Sequence, residues 1–522
     1  MFKHLNKDLP ASVVVFFVAL PLCLGIALAS GAPLFSGLIA GIVGGIVVGS
    51  LSGSSVGVSG PAAGLAVIVL GAIASLGKYE YFLVAVVLGG AFQLLLGVFK
   101  AGVIGYYFPS SVIKGMLAGI GIIIFIKQFS VAFGLPDDYE FFSYSFSAML
   151  QNLNIAMESF SVGTLVITLV SVGIMLFWSH VLEKKHQIFK IIPGPLVAVI
   201  IGILYKLMID DSSILGISDS NLVSVPVPDS LSDFINQFTF PDFSIITSSQ
   251  VWVVGFTIAV VASLETLLSV EATDKLDPRK RVTPTNRELL AQGTGNILSG
   301  FIGGLPITQV IVRSSANIQS GGRTKMSAIL HAVWLLLAVV FIPDLLNLIP
   351  LAVLAGVLLI VGYKLAKPSL FKGMFKLGRT QFIPFVITVV GIVFSDLLTG
   401  IGLGLLAGIT AVLYNSFKNS HFLNAKESQS NGGQKIEMRL AEEVTFFNKG
   451  AILKTLSDIA PNTDLSIDIR KSKYMDYDIL EILEDFAIKA KNRNIDITII
   501  SELGDFKNPT SYTRFFNINA EY

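Results

Sequence analysis

The sequence predicts an α-helical polytopic membrane protein that carries a small α/β domain near its C-terminal end. Of the 522 residues, 53% are hydrophobic and only 14% are charged, whereas soluble domains contain nearer a quarter charged residues. From Leu9 to Gly77 there is no Asp, Glu, Lys or Arg. That stretch holds several apolar runs of membrane length, so it is too long for one buried helix. Near residue 417 the composition becomes polar, which predicts a second domain outside the membrane.

Fourteen hydrophobic segments are predicted as membrane spans. Several are shorter than the roughly 20 residues that a full crossing needs. In chain order they cover residues 12–30, 34–51, 61–76, 81–99, 110–128, 161–180, 191–208, 249–270, 287–301, 313–321, 326–343, 348–365, 380–396 and 398–416.

The charges of the loops predict the orientation. Residues 134–160 and 209–248 contain acidic side chains but no Lys or Arg. The loops at 183–190, 274–281, 321–325 and 364–379 are basic. With fourteen spans and both termini in the cytoplasm, every basic loop lies on the cytoplasmic side, as expected of a protein in a bacterial-type inner membrane. A formal net charge of +1 argues against a nucleic-acid partner.

The C-terminal region predicts a cytoplasmic α/β domain. "NAKESQSNGGQ" is typical of a polar linker, and after it strand patterns such as "DLSIDI" and "DITII" alternate with the helical patterns "KGAILKTLSDIA" and "DYDILEILEDFAIKAKNR". The predicted divisions are a transmembrane transport domain over 1–420, a linker over 421–433 and the α/β domain over 434–522.

Two segments in the two halves of the membrane region are similar. "SSVGVSGPAAG" (54–64) and "ITQVIVRSSAN" (307–317) each have a short extended stretch followed by a helix start rich in small or hydroxyl residues. Pro61 is expected in the first helical turn. The segments belong to spans three and ten, so each is third in a set of seven. Because seven is an odd number, the second set of seven spans crosses the membrane in the opposite direction to the first. This pattern predicts an inverted-repeat transporter with broken helices near the membrane midplane.

Arg313 points to an anionic substrate. It is the only charged side chain between Glu288 and Arg323, and it lies where two helix N-termini with free N–H groups are expected to meet. An unpaired arginine in the membrane costs about 3 kcal/mol on insertion scales, and a bound anion would offset that cost. The alternatives are that Arg313 snorkels to the cytoplasm or pairs with a fixed carboxylate.

Glu265 is the candidate for ion coupling. It is the only charge between Asp242 and Glu271, in the middle of span eight. Burial favours the neutral carboxyl, which could carry a coupling proton. As a carboxylate it could instead hold Na⁺, with Ser269 one turn further along the helix. A structural counter-ion for Arg313 is the other interpretation. His331 is interpreted as a satisfied interfacial histidine rather than a proton relay.

Four motifs resemble the SulP anion permeases, the sulfate-permease superfamily that includes prestin. They are "ALPLCLGIALASGAP", "SVGVSGPAAGLAVI", "NRELLAQGTGNILSG" and "GGLPITQVIVRSSANIQSGGRTKMSA". The resemblance implies a seven-plus-seven inverted repeat, with spans 1–4 and 8–11 in a core domain and spans 5–7 and 12–14 in a gate domain. It also implies elevator-type alternating access, a homodimer and a C-terminal STAS domain.

The same resemblance implies the positions of the site. Arg313 and Ser314 match the basic and hydroxyl positions of span ten, and Ser59, Gly60 and Ala62 match the end of span three. Glu265 matches the acidic position of span eight, which serves proton or sodium coupling in relatives.

The chain also departs from the family pattern. Leu22 replaces a glutamine that many relatives carry after the proline of span one, and Val312 replaces a serine before the arginine. These apolar replacements leave bicarbonate or another monovalent anion open beside sulfate. "MDYDIL" in the STAS region lacks the usual phosphorylatable serines.

The expected function is therefore secondary active transport of a small inorganic anion, sulfate or bicarbonate, coupled to protons or sodium. The alternatives are a dicarboxylate:proton symporter, an uncoupled anion channel or exchanger, and a nucleobase permease, which fits the arginine less well. The sequence contains no catalytic constellation and no metal-ligand cluster, so we expect neither an enzyme nor a cofactor.

Overall fold

Helices form at every one of the fourteen predicted spans in the computed structural model. It describes residues 4–103, 109–135, 160–185, 189, 192–210, 212–227, 236–418, 421–427, 434–502 and 504–509. The helices are α1 Leu5–Ala29, α2 Leu34–Leu51, α3 Ala63–Leu76, α4 Tyr79–Val98, α5 Ser110–Ala132, α6 Val162–Lys185, α7 Gly194–Met208, α8 Ser249–Leu276, α9 Thr285–Phe301, α10 Ile311–Gln319, α11 Lys325–Phe341, α12 Leu351–Leu365, α13 Arg379–Phe394 and α14 Leu397–Lys418.

Eight helices in the described part of the chain are long and apolar enough to cross a membrane. Four others, α3, α7, α11 and α13, are apolar but shorter. The multi-pass helical architecture is thereby confirmed, whereas the count of fourteen crossings, the inverted repeat and the division into core and gate stay predictions. Most of the predicted acidic loop 134–160 lies outside the described residues.

Two short strands interrupt the helical pattern. β1 spans Ser59–Pro61 and β2 spans Ile307–Gln309, and they pair antiparallel. The expectation that Pro61 opens a helix is wrong, because the helix begins only at Ala63 and Pro61 ends β1. Proline is tolerated there because its missing N–H falls at the end of a two-stranded ladder.

Glycines let the helices of the membrane region approach closely. A Cβ added at Gly37 would lie 2.1 Å from the Cys23 carbonyl of α1. Likewise, a Cβ at Gly90 of α4 would lie 2.6 Å from a backbone nitrogen of α9. Small residues at such crossings maximise van der Waals contact between the helices. This contact drives helix association in a membrane, because lipid tails are as apolar as the side chains and provide no hydrophobic driving force.

The chain divides into two compact units, residues 1–404 and 405–522. The second contains β3 His421–Glu427, β4 Gln434–Leu440, β5 Glu443–Val444, α15 Lys449–Ser457, β6 Asp464–Asp468, β7 Tyr474–Met475, α16 Tyr477–Asn492, β8 Asp496–Ser501 and β9 Gly504–Lys507. Its main sheet has the order β3-β4-β6-β8-β9. The central strands β4, β6 and β8 are parallel, and the edge strands are antiparallel.

The α/β pattern predicted for this unit is confirmed element by element. The inward residues of the sheet and of α16, among them Ile467, Ile499 and Leu483, form its buried core. The predicted linker differs from the structure, because His421–Glu427 forms a strand that pairs with β4. A polar, glycine-containing segment can serve as a hairpin connection as well as a linker. Its second half, 428–433, lies outside the described residues.

Candidate functional site

The two short strands aim the N-termini of α3 and α10 at each other. Ser59 pairs with Gln309 and Pro61 with Ile307. Because the strands are antiparallel, each leads into its helix from the opposite end of the pair. The N-cap residues Ala62 and Val310 have no side-chain acceptor, although a Ser, Thr, Asp or Asn is usual there. The arrangement concentrates backbone donors and positive dipole ends in one place.

Arg313 lies in the first turn of α10 and is completely buried. Its Nη2 donates a hydrogen bond of 3.4 Å to the Pro61 carbonyl. Its Nε and Nη1 have no hydrogen-bond partner, and the ion pairs found among the described residues do not include Arg313. In this structure Arg313 therefore neither snorkels to the surface nor pairs with a described carboxylate. It retains unused donors at the meeting point of the two helices.

Gly60 makes this position of Arg313 sterically possible. A Cβ added at Gly60 would lie 2.2 Å from Nη1 of Arg313. The neighbouring Gly44, in the π-helical turn Gly44–Val48 of α2, approaches the same strand, since its Cβ would lie 2.6 Å from the Ser59 carbonyl. Only residues without a side chain fit between the guanidinium and α2.

Cys23 of α1 and His331 of α11 lie close enough to the guanidinium of Arg313 to interact with it. The Nδ1 of His331 contacts the Ala328 carbonyl, while its Nε2 is buried without a partner. The interpretation of His331 as a satisfied residue holds for Nδ1 and not for Nε2, in a side chain that is fully buried; its interfacial position stays a prediction. The close approach of α2 at Gly45, whose Cβ would lie 2.7 Å from the imidazole, accounts for this burial.

Glu265 contacts the N-terminus of α3 rather than Arg313. Its carboxylate accepts a hydrogen bond from the backbone N–H of Gly64, and a Cβ added at Gly64 would lie 2.6 Å from Oε2. That oxygen is buried and has no hydrogen-bond partner. Glu265 thus caps α3 from another helix. Ser269 is buried one turn further along α8.

The other predicted site residues surround the strand pair. The Ser314 hydroxyl donates to the Val310 carbonyl at 2.8 Å and accepts from the Val58 N–H at 3.0 Å. The Ser59 hydroxyl accepts a hydrogen bond of 2.8 Å from Gln292. The Ser314 hydroxyl therefore holds the backbone of the site, whereas the Ser59 hydroxyl joins β1 to the Gln292 side chain of α9. Ala62 and Leu22 are buried.

The sequence analysis missed a polar row on α9. Glu288, Gln292 and Asn296 are completely buried, and Asn296 bonds both the N–H and the carbonyl of Ile307 in β2. Gln292 joins Ser59 to Glu288. Their spacing of four residues places them on one helix face. This spacing was the signal in the sequence from which a polar face on a membrane helix could have been predicted.

The pattern of the sulfate permease family matches residues 5–388 of the chain. That range includes all the candidate residues described above. The chain belongs to the sulfate permease family.

Curated relatives support this assignment. A putative sulfate transporter of Bacillus subtilis, YvdB, is 27% identical over 406 residues, covering 77% of this chain and 73% of the relative. The bicarbonate transporter BicA of Picosynechococcus is 26% identical over 412 residues, covering 77% of this chain and 69% of the relative. The resemblance predicted from the four motifs is confirmed.

Solved structures of similar proteins agree with the fold. The transmembrane domain of a cyanobacterial BicA superposes with a TM-score of 0.63 at 25% identity, over 78% of this chain and 98% of that domain. The murine solute carrier 26 member A9 superposes with a TM-score of 0.75 over 96% of this chain and 86% of that one. Since it is only 14% identical, it bears on the fold alone.

Proposed function

We propose that this sulfate permease family member is a secondary active transporter of a small inorganic anion, sulfate or bicarbonate, with elevator-type alternating access. The observation that carries the proposal is the buried Arg313, whose Nε and Nη1 have no partner, in the first turn of α10 opposite the N-terminus of α3. The anion binds between the two N-termini and receives hydrogen bonds from backbone N–H groups. The charge of Arg313 stabilises it across the strand pair.

The energetics favour a transient anion over a permanent counter-ion. A buried arginine without a partner costs about 3 kcal/mol on insertion scales. A fixed carboxylate beside it would remove that cost permanently and would leave little attraction for a substrate. A bound anion offsets the cost of burying Arg313 each time it binds. A transporter requires such a reversible partner, because its substrate must also leave.

The names of the relatives and the residues of the site leave two substrates open. Relatives are named for sulfate and for bicarbonate. Leu22 is buried and Val312 is exposed at the start of α10, and neither position offers a polar side chain to a tetrahedral dianion. These replacements favour the smaller, monovalent bicarbonate.

Coupling follows from the position of Glu265. As a carboxylate it accepts the N–H of Gly64 and places a negative charge at the N-terminus of α3, where it competes with the substrate for the positive end of that helix. A proton or a sodium ion on Glu265 cancels this repulsion. The coupling ion therefore raises the affinity for the anion, and by linkage the anion raises the affinity for the ion.

We favour the proton, because the described surroundings offer few oxygen ligands for a hard cation. Ser269 is the additional ligand that a sodium site would use. The proposal also includes a homodimer, which the family resemblance implies. It places both termini in the cytoplasm and the protein in the inner membrane, as the distribution of basic loops predicts.

Uptake by the purified protein in liposomes tests the proposal. Labelled sulfate, bicarbonate and a dicarboxylate are offered in turn, with an imposed pH gradient, an imposed Na⁺ gradient, or neither. We expect accumulation of one inorganic anion above its external concentration with only one of the two gradients. Uptake that never exceeds equilibration would instead favour an uncoupled channel or exchanger, and accumulation of the dicarboxylate alone would refute the inorganic substrate.

A further inference from the structure

A large cavity lies apart from the candidate site, at the end of the bundle where α1 ends and α2 begins. Its volume is about 1310 Å³. The end of α5 forms one wall, and the segment 220–226 covers part of its rim. That segment is held by Val225, whose N–H and carbonyl both bond the side-chain amide of Asn347. Arg313 and Glu265 do not line this cavity.

Among the described residues, the lining of the cavity carries one positive charge and no negative one. Lys127 of α5 is the only charged side chain among the described residues that line it. It is exposed and makes none of the ion pairs found in the described part of the chain. Much of the remaining lining is apolar, including Leu28, Phe35 and Leu351. Low-dielectric walls focus the field of a charge into a cleft, so Lys127 raises the local concentration of anions.

The neighbouring Gln128 supplies a polar partner. It lines the same cavity, is only 2% exposed, and its Oε1 has no hydrogen-bond partner. The amide NH₂ group of a glutamine can donate hydrogen bonds to an anion. A buried amide without a partner costs free energy, which a hydrated ligand would offset.

We propose that Lys127 and Gln128 form an entry site for the transported anion, distinct from the seat beside Arg313. The anion is held there by the ammonium group of Lys127 and by one amide hydrogen bond from Gln128 before it passes between α2 and α5. This inference rests on the proposed transport function. In the predicted topology the cavity opens to the outer side of the membrane.

The test compares neutral, charge-conserving and charge-reversing variants of Lys127 in liposomes. We expect Lys127→Gln to lower kcat/KM for the transported anion about 3- to 10-fold at low ionic strength and to approach the wild type at high salt, where a surface charge is screened. Lys127→Arg should retain wild-type uptake, and Lys127→Glu should lose more than Lys127→Gln. The control is Lys78→Gln, since Lys78 is an exposed lysine in the turn between α3 and α4 that does not line the cavity.

A cysteine variant adds an independent readout. The single native cysteine, Cys23, is buried, so Lys127→Cys provides one accessible thiol. A cationic methanethiosulfonate reagent should restore uptake by this variant, whereas an anionic one should depress it further. The transported anion should slow both reactions by occupying the cavity.

The outcomes separate this inference from the proposed function. Absence of anion uptake by the wild type would overturn both. If the wild type transports, an unchanged kcat/KM in Lys127→Gln would overturn the entry site alone. An equal loss in Lys78→Gln would also overturn it, because the effect would then belong to the surface potential as a whole.

Discussion

Replacing Arg313 by methionine separates a substrate-binding arginine from a structural one. Methionine has a similar length and no charge, so Arg313→Met fills much of the same volume. If the guanidinium provides the electrostatic seat, the variant loses a charge-assisted interaction worth about 1.5–3 kcal/mol in anion affinity. That loss corresponds to a dissociation constant about 10- to 150-fold higher.

The effect on stability should be small or opposite in sign. Arg313 is fully buried and makes one hydrogen bond of 3.4 Å, so removing the charge relieves an uncompensated desolvation cost. A structural ion pair would behave differently, because breaking a buried pair destabilises by about 3–5 kcal/mol. We therefore expect the anion-free variant to unfold at the wild-type temperature or slightly above it.

Thermal unfolding in detergent with increasing anion measures both quantities. At a concentration of 100 times the wild-type dissociation constant, binding stabilises the wild type by about 2.7 kcal/mol. A variant with a 100-fold weaker site gains only about 0.4 kcal/mol at that concentration. Arg323→Gln is the matched control, since Arg323 is exposed just after α10. Wild-type stabilisation by the anion in Arg313→Met, or loss of the fold without anion, would refute the reasoning.

Three further changes probe the rest of the site. Glu265→Gln imitates the protonated carboxyl and should abolish gradient-driven accumulation while anion exchange continues. The control Glu271→Gln, on the exposed side of the same helix, should leave accumulation and exchange unchanged. Full gradient-driven uptake by Glu265→Gln would show that Glu265 serves only as a structural cap. Gly60→Ala should displace the guanidinium, whose Nη1 would lie 2.2 Å from the new Cβ, and should weaken anion binding at least tenfold, whereas Gly71→Ala, which meets nothing within 4 Å, should not. Deleting residues 421–522 should leave anion affinity unchanged in a binding titration, and an altered affinity or specificity would contradict this prediction.

The positions of the helices could be predicted from the sequence because long apolar runs indicate membrane helices. Every predicted span coincides with a helix, including the short α3 and α10. The two extended stretches could be predicted from the two similar segments, since β1 and β2 each precede a helix start rich in small residues. Their pairing and its register could not be predicted, because Ser59 and Gln309 are far apart in the sequence and such pairing leaves no local period.

The side-chain partners within the site were harder to foresee. Glu265 was expected near Arg313, yet it caps α3 through Gly64, a contact that depends on how α8 packs. The burial of His331 depends similarly on the close approach of α2 at Gly45. Such contacts are set by the packing of three or more helices, which the periodicity of any single helix does not encode.

The location of the bound anion tests the central claim most directly. The measurement is a density difference between structures of the full-length protein determined with and without a saturating, electron-rich analogue of the transported anion. We predict one strong peak between the N-termini of α3 and α10, next to the backbone of Ala62–Gly64 and Ile311–Arg313, and its loss in Arg313→Met. A saturated protein with density elsewhere and none between these helix ends would contradict the account.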